Sequence, residues 1–114
     1  ELTWTGGALF IPTNLDDFPE VAADVTQVDT SGSPRAFALS LADVARLSGS
    51  GRAFPNHVQR MSGNTLSWWL RTSSTSTAAW RVTGSVNLGQ LRGGHPKTTG
   101  NNSIRPALII NQAP

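Results

Sequence analysis

The sequence predicts a single α+β domain that combines a mostly antiparallel β-sheet, one or two short helices and long irregular loops. Two short apolar runs, residues 66–71 and 103–110, are bounded by small polar residues, as is typical of buried strands. A third segment, which begins at Ser40, has apolar residues at helical spacing. At 114 residues the chain is long enough to bury one core without disulfides, and it has no cysteine.

The front of the chain predicts an opening strand pair and a polar loop. Residues 2–11 contain two apolar runs around a pair of glycines, which predicts two strands joined by a tight turn. A short helix is predicted over residues 20–28. Asp16, Asp17 and Glu20 lack the spacing and the glycine of an EF-hand loop, so we favour a solvated turn over a calcium site.

Residues 36–39 predict a strand that leads directly into a helix. Ser40 is a preferred N-cap residue, and Asp43, three positions later, completes a capping-box pattern. The apolar helical face stops at Gly49 or Gly51, either of which can end a helix.

Alternation in the back half separates an inward set of side chains from an outward set. Within residues 66–71, Trp68 and Leu70 face one side, and Trp69 and Arg71 face the other. Both tryptophans are expected to be buried.

After a Ser/Thr-rich turn at residues 72–77, the alternation resumes and points Trp80 inward. The same alternation predicts four solvent-facing residues: Arg81, Thr83, Ser85 and Asn87. We expect a turn near Gly89 and an exposed loop over residues 92–102. Residues 104–110 are apolar on both faces, which predicts a central strand of the sheet.

Charge is distributed unevenly along the chain. All seven acidic residues lie before residue 50, whereas residues 51–114 hold seven basic residues and no acid. One interpretation is a basic face for nucleic acid or another polyanion. The other is an acidic front half that folds against a basic back half. Because Arg71 and Arg105 lie within apolar runs, where an unpaired charge is costly, we expect both to pair with front-half acids.

The placement of histidines and acids argues against catalysis. His57 has no second ligand at metal spacing. A serine triad would need an acid beside His57 or His95, yet every acid precedes residue 50 and no nucleophile-elbow pattern is present. We therefore expect no enzymatic activity, no metal site and no cofactor. No run approaches the roughly 18 apolar residues that a membrane-spanning helix needs.

Four motifs occur in a characteristic order along the chain: Phe37-Ala-Leu-Ser-Leu-Ala-Asp-Val-Ala45, Trp68-Trp-Leu-Arg71, Gly84-Ser-Val-Asn87 and Ile104-Arg-Pro-Ala-Leu108. Over residues 36–110 they resemble a C-type-lectin-fold domain. The likeness is to the variable proteins of diversity-generating retroelements and to related bacterial or viral domains with a Trp-Trp-Leu-Arg strand.

The resemblance implies a fixed lectin-like framework that displays exchangeable side chains within a segment of about residues 72–102. In that family a reverse transcriptase mutates adenines, so asparagine codons come to encode many different residues. The implied framework residues are Trp68, Trp69, Arg71, Trp80 and Arg105. The residues compatible with exchange are Ser73, Ser74, Thr75, Ser76, Thr77, Arg81, Thr83, Ser85, Asn87, Arg92, His95, Thr98, Asn101 and Asn102.

The function that this resemblance implies is non-catalytic binding of a protein or surface ligand through the exchangeable residues. A virion or cell-surface location is implied, and a cytoplasmic one stays open. The chain has no tyrosine, a frequent anchor of binding surfaces, which favours weak binding or a polar or anionic ligand held by Arg81, Arg92, His95 and Lys97. Two alternatives are a domain that binds nucleic acid or another polyanion, and a lectin-fold enzyme akin to the cysteine-dependent sulfatase modifiers.

Overall fold

A four-stranded antiparallel sheet dominates the computed structural model, which describes residues 10–11, 15, 18–28, 36–63, 66–84 and 89–109. In chain order the strands are β1 (Phe10–Ile11), β2 (Phe37–Ala38), β3 (Trp68–Ser73), β4 (Ala78–Val82), β5 (Leu91–Pro96) and β6 (Pro106–Ala107). The main sheet has the order β1-β5-β4-β3, and β2 pairs with β6 in a second sheet. The predicted α+β class with antiparallel sheets is confirmed.

Helix α1 (Leu41–Leu47) begins where the sequence predicts it. The Ser40 hydroxyl accepts a hydrogen bond from the Asp43 amide at 3.0 Å, and the Asp43 carboxylate accepts one from the Ser40 amide at 3.0 Å. This reciprocal pair is the predicted capping box. Beyond the helix, Gly49 adopts a φ of 129°, a region that favours glycine.

The core lies between one face of the main sheet and the helices that cover it. Its fully buried side chains are Ile11, Val21, Leu41, Val44, Trp68, Leu70, Trp80, Val82 and Leu91. The predicted inward orientation of Trp68 and Trp80 is confirmed, and the Trp68 indole N–H donates to the Arg60 carbonyl oxygen at 2.9 Å. That bond satisfies the one polar atom of a large apolar side chain.

The predicted helix over residues 20–28 was wrong in type and length. A 3₁₀ helix spans Pro19–Ala23 and stops before Asp24. The Asp24 carboxylate accepts hydrogen bonds from the Thr26 amide and hydroxyl, at 3.0 and 2.7 Å. Such local side-chain bonds compete with helical backbone bonds, so the chain continues without helix after Asp24.

The predicted turn near Gly89 is confirmed. Gly89 has a φ of 72°, and a Cβ atom there would overlap the carbonyl oxygen of His57. His57 begins a second 3₁₀ helix, His57–Arg60, whose N-cap is Asn56. Only glycine fits this close backbone approach, which brings the start of β5 against that helix.

The predicted central strand over residues 104–110 was wrong. Ile104 is 80% exposed and Ile109 is 81% exposed. The short strand β6 joins β2, and the described backbone of this segment pairs with β3 through a bridge between Trp68 and Ser103. Pro106 has no amide hydrogen to donate to a sheet, so a continuous ladder cannot form through it.

The predicted exposed loop over residues 92–102 was wrong in its first half. Residues 91–96 form β5, which pairs with both β1 and β4. Two residues, Gly93 and Gly94, lie between successive register pairs of this strand, and Gly94 has a φ of 75°. The glycines therefore form a β-bulge inside a strand, and the loop begins after Pro96.

Two parts of the front prediction lie outside the described residues: the first opening strand, within residues 2–4, and the acids Asp16 and Asp17. Helix α1 has seven residues, and no helix in the described ranges is long and apolar enough to cross a bilayer.

Candidate ligand-binding face

Strand register brings three side chains into one row on the face of the main sheet opposite the core. Trp69 is the Cα partner of Arg81, which is in turn the partner of Arg92. Directly opposite residues in an antiparallel sheet project to the same face. All three side chains are half-buried.

The bulge at Gly93 and Gly94 adds His95 to this row. Ala79 is the Cα partner of His95, and the His95 ring lies 5.3 Å from the Trp69 ring, centroid to centroid, at a tilt of 44°. We call the surface formed by Trp69, Arg81, Arg92 and His95 the cationic face.

The electrostatic environment of this face disfavours further positive charge. Burial and the neighbouring charge of Arg92 lower the pKa of Arg81. Burial and the charge of Arg81 lower the pKa of His95. No carboxylate in the described part of the chain pairs with Arg81 or His95. A negative group placed here would relieve this repulsion.

Two buried polar atoms on the face have no hydrogen-bond partner in the structure, Nε of Arg81 and Nε2 of His95. Nδ2 of Asn102 is a third such atom. Asn102 lies near the same end of the sheet, because its neighbour Ser103 exchanges backbone hydrogen bonds with Ser67 and Trp69. Buried polar groups are seldom left unsatisfied in folded proteins, so these atoms make this end of the sheet the candidate site.

A cleft of about 830 Å³ adjoins the cationic face. Trp69 belongs to both surfaces, and the opposite wall includes Val28, Phe37 and the backbone segment around Thr26. Lys97 contributes a positive charge to the lining. Apolar walls with a few polar groups are typical of ligand-binding clefts.

A network of hydrogen bonds fixes the strand that carries Trp69. Arg71 donates to the Asp43 carboxylate and to the Ala38 carbonyl, both at 2.7 Å, and to the Thr26 carbonyl at 3.1 and 3.3 Å. Thr72 donates to the Asp24 carboxylate at 2.7 Å. We call this set, Asp24, Asp43, Arg71 and Thr72, the anchoring network.

The two carboxylates of the anchoring network are held in the charged form. Burial opposes the ionisation of Asp24, but hydrogen bonds from Thr72, Thr26 and the Ala42 amide outweigh it and lower the pKa. Burial likewise opposes the ionisation of Asp43, and the Ser40 amide and Arg71 outweigh it, so its pKa is also lowered. The predicted pairing of Arg71 with a front-half acid is confirmed.

Arg105 was predicted to pair with a front-half acid, and it pairs with none of the acids that the structure describes. Its guanidinium carbon lies 5.3 Å from the Phe54 ring centroid and 5.1 Å from that of Trp68, and it donates to the Arg60 carbonyl at 3.1 Å. Aromatic faces and a carbonyl thus stabilise this cation in place of a carboxylate.

The predicted exchangeable residues divide into four groups. Those on or beside the cationic face are Arg81, Arg92, His95 and Asn102. Those in exposed loops are Thr75, Ser76, Thr77, Thr98 and Asn101. Ser85 and Asn87 lie outside the described residues.

The remaining three, Ser73, Ser74 and Thr83, are buried, so their predicted exposure was wrong. Strand β3 continues to Ser73 where a turn was predicted, and the Ser74 hydroxyl accepts from the Gly94 amide at 2.9 Å. Thr83 is 2% exposed, and its hydroxyl donates to the Gln90 carbonyl at 3.1 Å. Alternation treats a polar side chain as solvent-facing, whereas hydroxyls can be buried once the backbone satisfies them.

Sequence reasoning missed Asp24, Thr26 and Thr72 as parts of the site's support. An Asp followed two residues later by Thr is a signal for the local turn that forms there. Nothing local in the sequence indicates the contact of Asp24 with Thr72, which are 48 residues apart. Trp69 was predicted to be a buried framework residue, and the structure places it half-buried at the junction of the face and the cleft.

Within the described ranges no group of three or more His, Cys, Asp or Glu side chains could hold a metal ion. No protein-family model, no curated protein and no solved structure matches this chain.

Proposed function

We propose that this domain binds an anionic ligand, without catalysis, through the cationic face and the adjoining cleft. In this proposal it is a lectin-like display domain of the retroelement-variable type, with exchangeable side chains on a fixed framework. The ligand is an acidic patch on a protein or other surface.

The observation that carries the proposal is the meeting of Arg81, Arg92 and His95 around Trp69. These residues come from three different strands, and the chain supplies no carboxylate to Arg81 or His95 among the described residues. Arranging like charges together without internal compensation destabilises a fold by itself. A bound anion would remove this repulsion, which would contribute to the binding free energy. Electrostatic complementarity would also speed association.

A division of roles among the arginines supports the display part of the proposal. Arg71 makes four hydrogen bonds within the anchoring network, so exchanging it would disrupt the fold. Among the described residues, Arg81 makes one hydrogen bond, to the Ser67 hydroxyl at 3.2 Å. A position with so few contacts tolerates exchange.

The contacts of the two acids in the anchoring network support a binding role over catalysis. Asp24 and Asp43 accept hydrogen bonds within the anchoring network. Neither is available as a general base for a nucleophile on the cationic face. The cysteine that the sulfatase modifiers require is absent from the sequence.

Binding is tested with dextran sulfate, a polyanion that stays ionised at all relevant pH values, by isothermal titration calorimetry. The variant Arg81→Ser/Arg92→Ser should bind at least about tenfold more weakly, since it loses two charges from the contact. The matched control Arg46→Ser/Arg52→Ser removes two exposed arginines near the end of α1 and should lose less than about threefold. Equal losses in the two variants would reject the face as the binding site.

The display part is tested on the DNA around the gene. A near-copy of the segment that encodes residues 67–107, differing only at adenines and beside a reverse-transcriptase gene, is the expected finding. Its absence would leave an anion-binding domain but remove the retroelement origin.

Nucleic-acid binding is the second candidate, because Trp69 combines an aromatic face with neighbouring arginines, as single-strand binders do. A single-stranded oligonucleotide should then bind more tightly than dextran sulfate, and Trp69→Leu should weaken it by about tenfold through lost stacking. If Trp69→Leu has no effect on oligonucleotide binding, the acidic-surface proposal stands and this one fails.

A further inference from the structure

A second cleft, of about 410 Å³, lies on the other side of the core from the cationic face. Its walls come from the 3₁₀ helix Pro19–Ala23, the end of α1 and the segment that leads to the 3₁₀ helix His57–Arg60. Phe18, Val21, Ala45 and Phe54 form apolar walls, and none of the described residues that line the cleft is acidic. The size is at the small end of the range for small-molecule sites.

Arg60 lines this cleft and is 1% exposed. Its Nε donates to the Gly89 carbonyl at 2.9 Å, which fixes the plane of the guanidinium. Its Nη2 is buried and has no hydrogen-bond partner in the structure. Burial lowers the pKa of Arg60 to about 10, so the group still carries its charge at neutral pH.

A buried charge without a counterion is costly, and removing the partner of a buried ion pair typically destabilises a protein by several kcal/mol. No ion pair to Arg60 is present among the residues that the structure describes. Two further basic side chains, Arg52 and His57, line the same cleft. The cleft therefore combines an unsatisfied buried donor with a positive potential and apolar walls.

We propose that this cleft binds a small carboxylic acid with a compact apolar body, whose carboxylate completes the hydrogen bonding of Arg60. Guanidinium groups match carboxylates in geometry, because two parallel N–H donors meet two oxygens. The apolar walls favour a ligand that has an apolar part beside its carboxylate, which an inorganic anion does not have. This site is separate from the cationic face and does not depend on the function proposed for that face.

The test uses benzoate as the probe acid and benzamide as its neutral counterpart, with binding followed by two-dimensional NMR of the whole chain. Benzoate should shift the amide signals of residues that line the cleft, in a saturable way. Benzamide should bind at least about tenfold more weakly, since it cannot pair with a buried cation. Inorganic phosphate should also bind more weakly, because it leaves the apolar walls uncovered.

Two variants locate the site. Arg60→Met should abolish benzoate binding and still fold, because an apolar residue of similar volume commonly replaces a buried charge at no cost in stability. Ala22→Phe narrows the cleft from an exposed position and should weaken binding without touching the core. Both variants should keep the affinity of the native chain for dextran sulfate.

Three results would overturn the proposal. One is the absence of saturable benzoate binding. Another is benzoate binding that survives Arg60→Met but is lost in Arg81→Ser/Arg92→Ser, since the cationic face would then be the site. The third is phosphate binding as tight as that of benzoate, which would mark a general anion site without the apolar selectivity.

Discussion

The anchoring network and the cationic face lie on neighbouring strands, and each is built around an arginine, yet the two arginines are treated in opposite ways. Arg71 on β3 makes four hydrogen bonds to Asp43 and to two backbone carbonyls. Arg81 on β4 faces Arg92, has one bond to a hydroxyl and retains a buried Nε without a partner. The hydrogen bonds of Arg71 are therefore made within the chain, whereas the buried Nε of Arg81 has no acceptor there.

Under the proposed function, this difference separates charge that holds the fold together from charge that binds the ligand. Where each donor meets an acceptor of the same chain, the charge fixes the geometry of the fold. Where donors meet without acceptors of the same chain, each unsatisfied donor costs free energy, and an acceptor from outside the chain would remove that cost. Arg71 and Arg81 are both half-buried, so the difference between them lies in their hydrogen-bond partners and not in their burial.

The most severe test of this comparison is the substitution of each arginine by glutamine. Arg71→Gln should lower the free energy of unfolding by about 3 kcal/mol, because it removes the charged donor to two carbonyls and one of the two arginines that pair with Asp43. Arg81→Gln should change it by less than about 0.5 kcal/mol or raise it slightly, because burial and Arg92 already disfavour that charge. Urea denaturation measures both. Equal destabilisation would show that the two arginines do not differ in role.

The acids of the anchoring network give the next largest effect. Asp24→Asn should lower the free energy of unfolding at pH 6 by about 2 kcal/mol, since Asp24 accepts charge-assisted hydrogen bonds from Thr72, Thr26 and Ala42. Glu20→Gln, a nearby acid outside the network, should cost less than about 0.5 kcal/mol.

The same acids set the pH dependence of stability. Their folded pKa values lie below the ordinary 3.8, so their contribution is present above that pH and is lost as the pH falls through the folded values. The native chain should therefore lose stability steeply below about pH 4, and Asp24→Asn should flatten that loss. An unchanged slope in the variant would contradict the role of Asp24.

Local patterns in the sequence predicted part of this organisation. The capping box of Ser40 and Asp43 depends on residues three apart, and the burial of Trp68 and Trp80 depends on strand alternation. Both are short-range rules, and both hold here. The pairing of Arg71 with an acid followed from the cost of burying a charge, although the identity of Asp43 did not.

Some failures come from local features that the hydrophobic pattern overlooked, and others from strand pairing that reverses a local preference. Glycines that usually mark a loop form a bulge within β5, and Pro106 interrupts an apolar run that would otherwise make a long strand. The cationic face is a product of strand register, because Trp69 and Arg92 are brought together by their separate pairing with Arg81. No spacing in the sequence reveals such a row.

Two threonine variants test the burial of Thr83, and their expected effect on stability is smaller. Thr83→Val should lower the free energy of unfolding by about 1 kcal/mol, because it removes the hydroxyl that donates to the Gln90 carbonyl. Thr77→Val, at an exposed position of the turn between β3 and β4, should stay within about 0.5 kcal/mol of the native chain. If the two variants are equally stable, the Thr83 hydroxyl does not stabilise the fold, and this position tolerates exchange.

The last contrast distinguishes the two histidines, and it concerns binding. Because burial and Arg81 lower the pKa of His95, this ring is mostly neutral at pH 7. A bound polyanion would raise that pKa, so protonation of His95 and binding of the polyanion favour each other. The affinity for dextran sulfate should therefore increase as the pH falls from 7.5 to 5.5. The increase should reach up to about tenfold for each unit by which binding raises the pKa. His95→Asn should remove most of this increase. His57→Asn, a control that lies outside the cationic face, should retain it. If His57→Asn removed the pH dependence while His95→Asn kept it, the polyanion would be bound elsewhere, and the contrast between the anchoring network and the cationic face would lose its functional meaning.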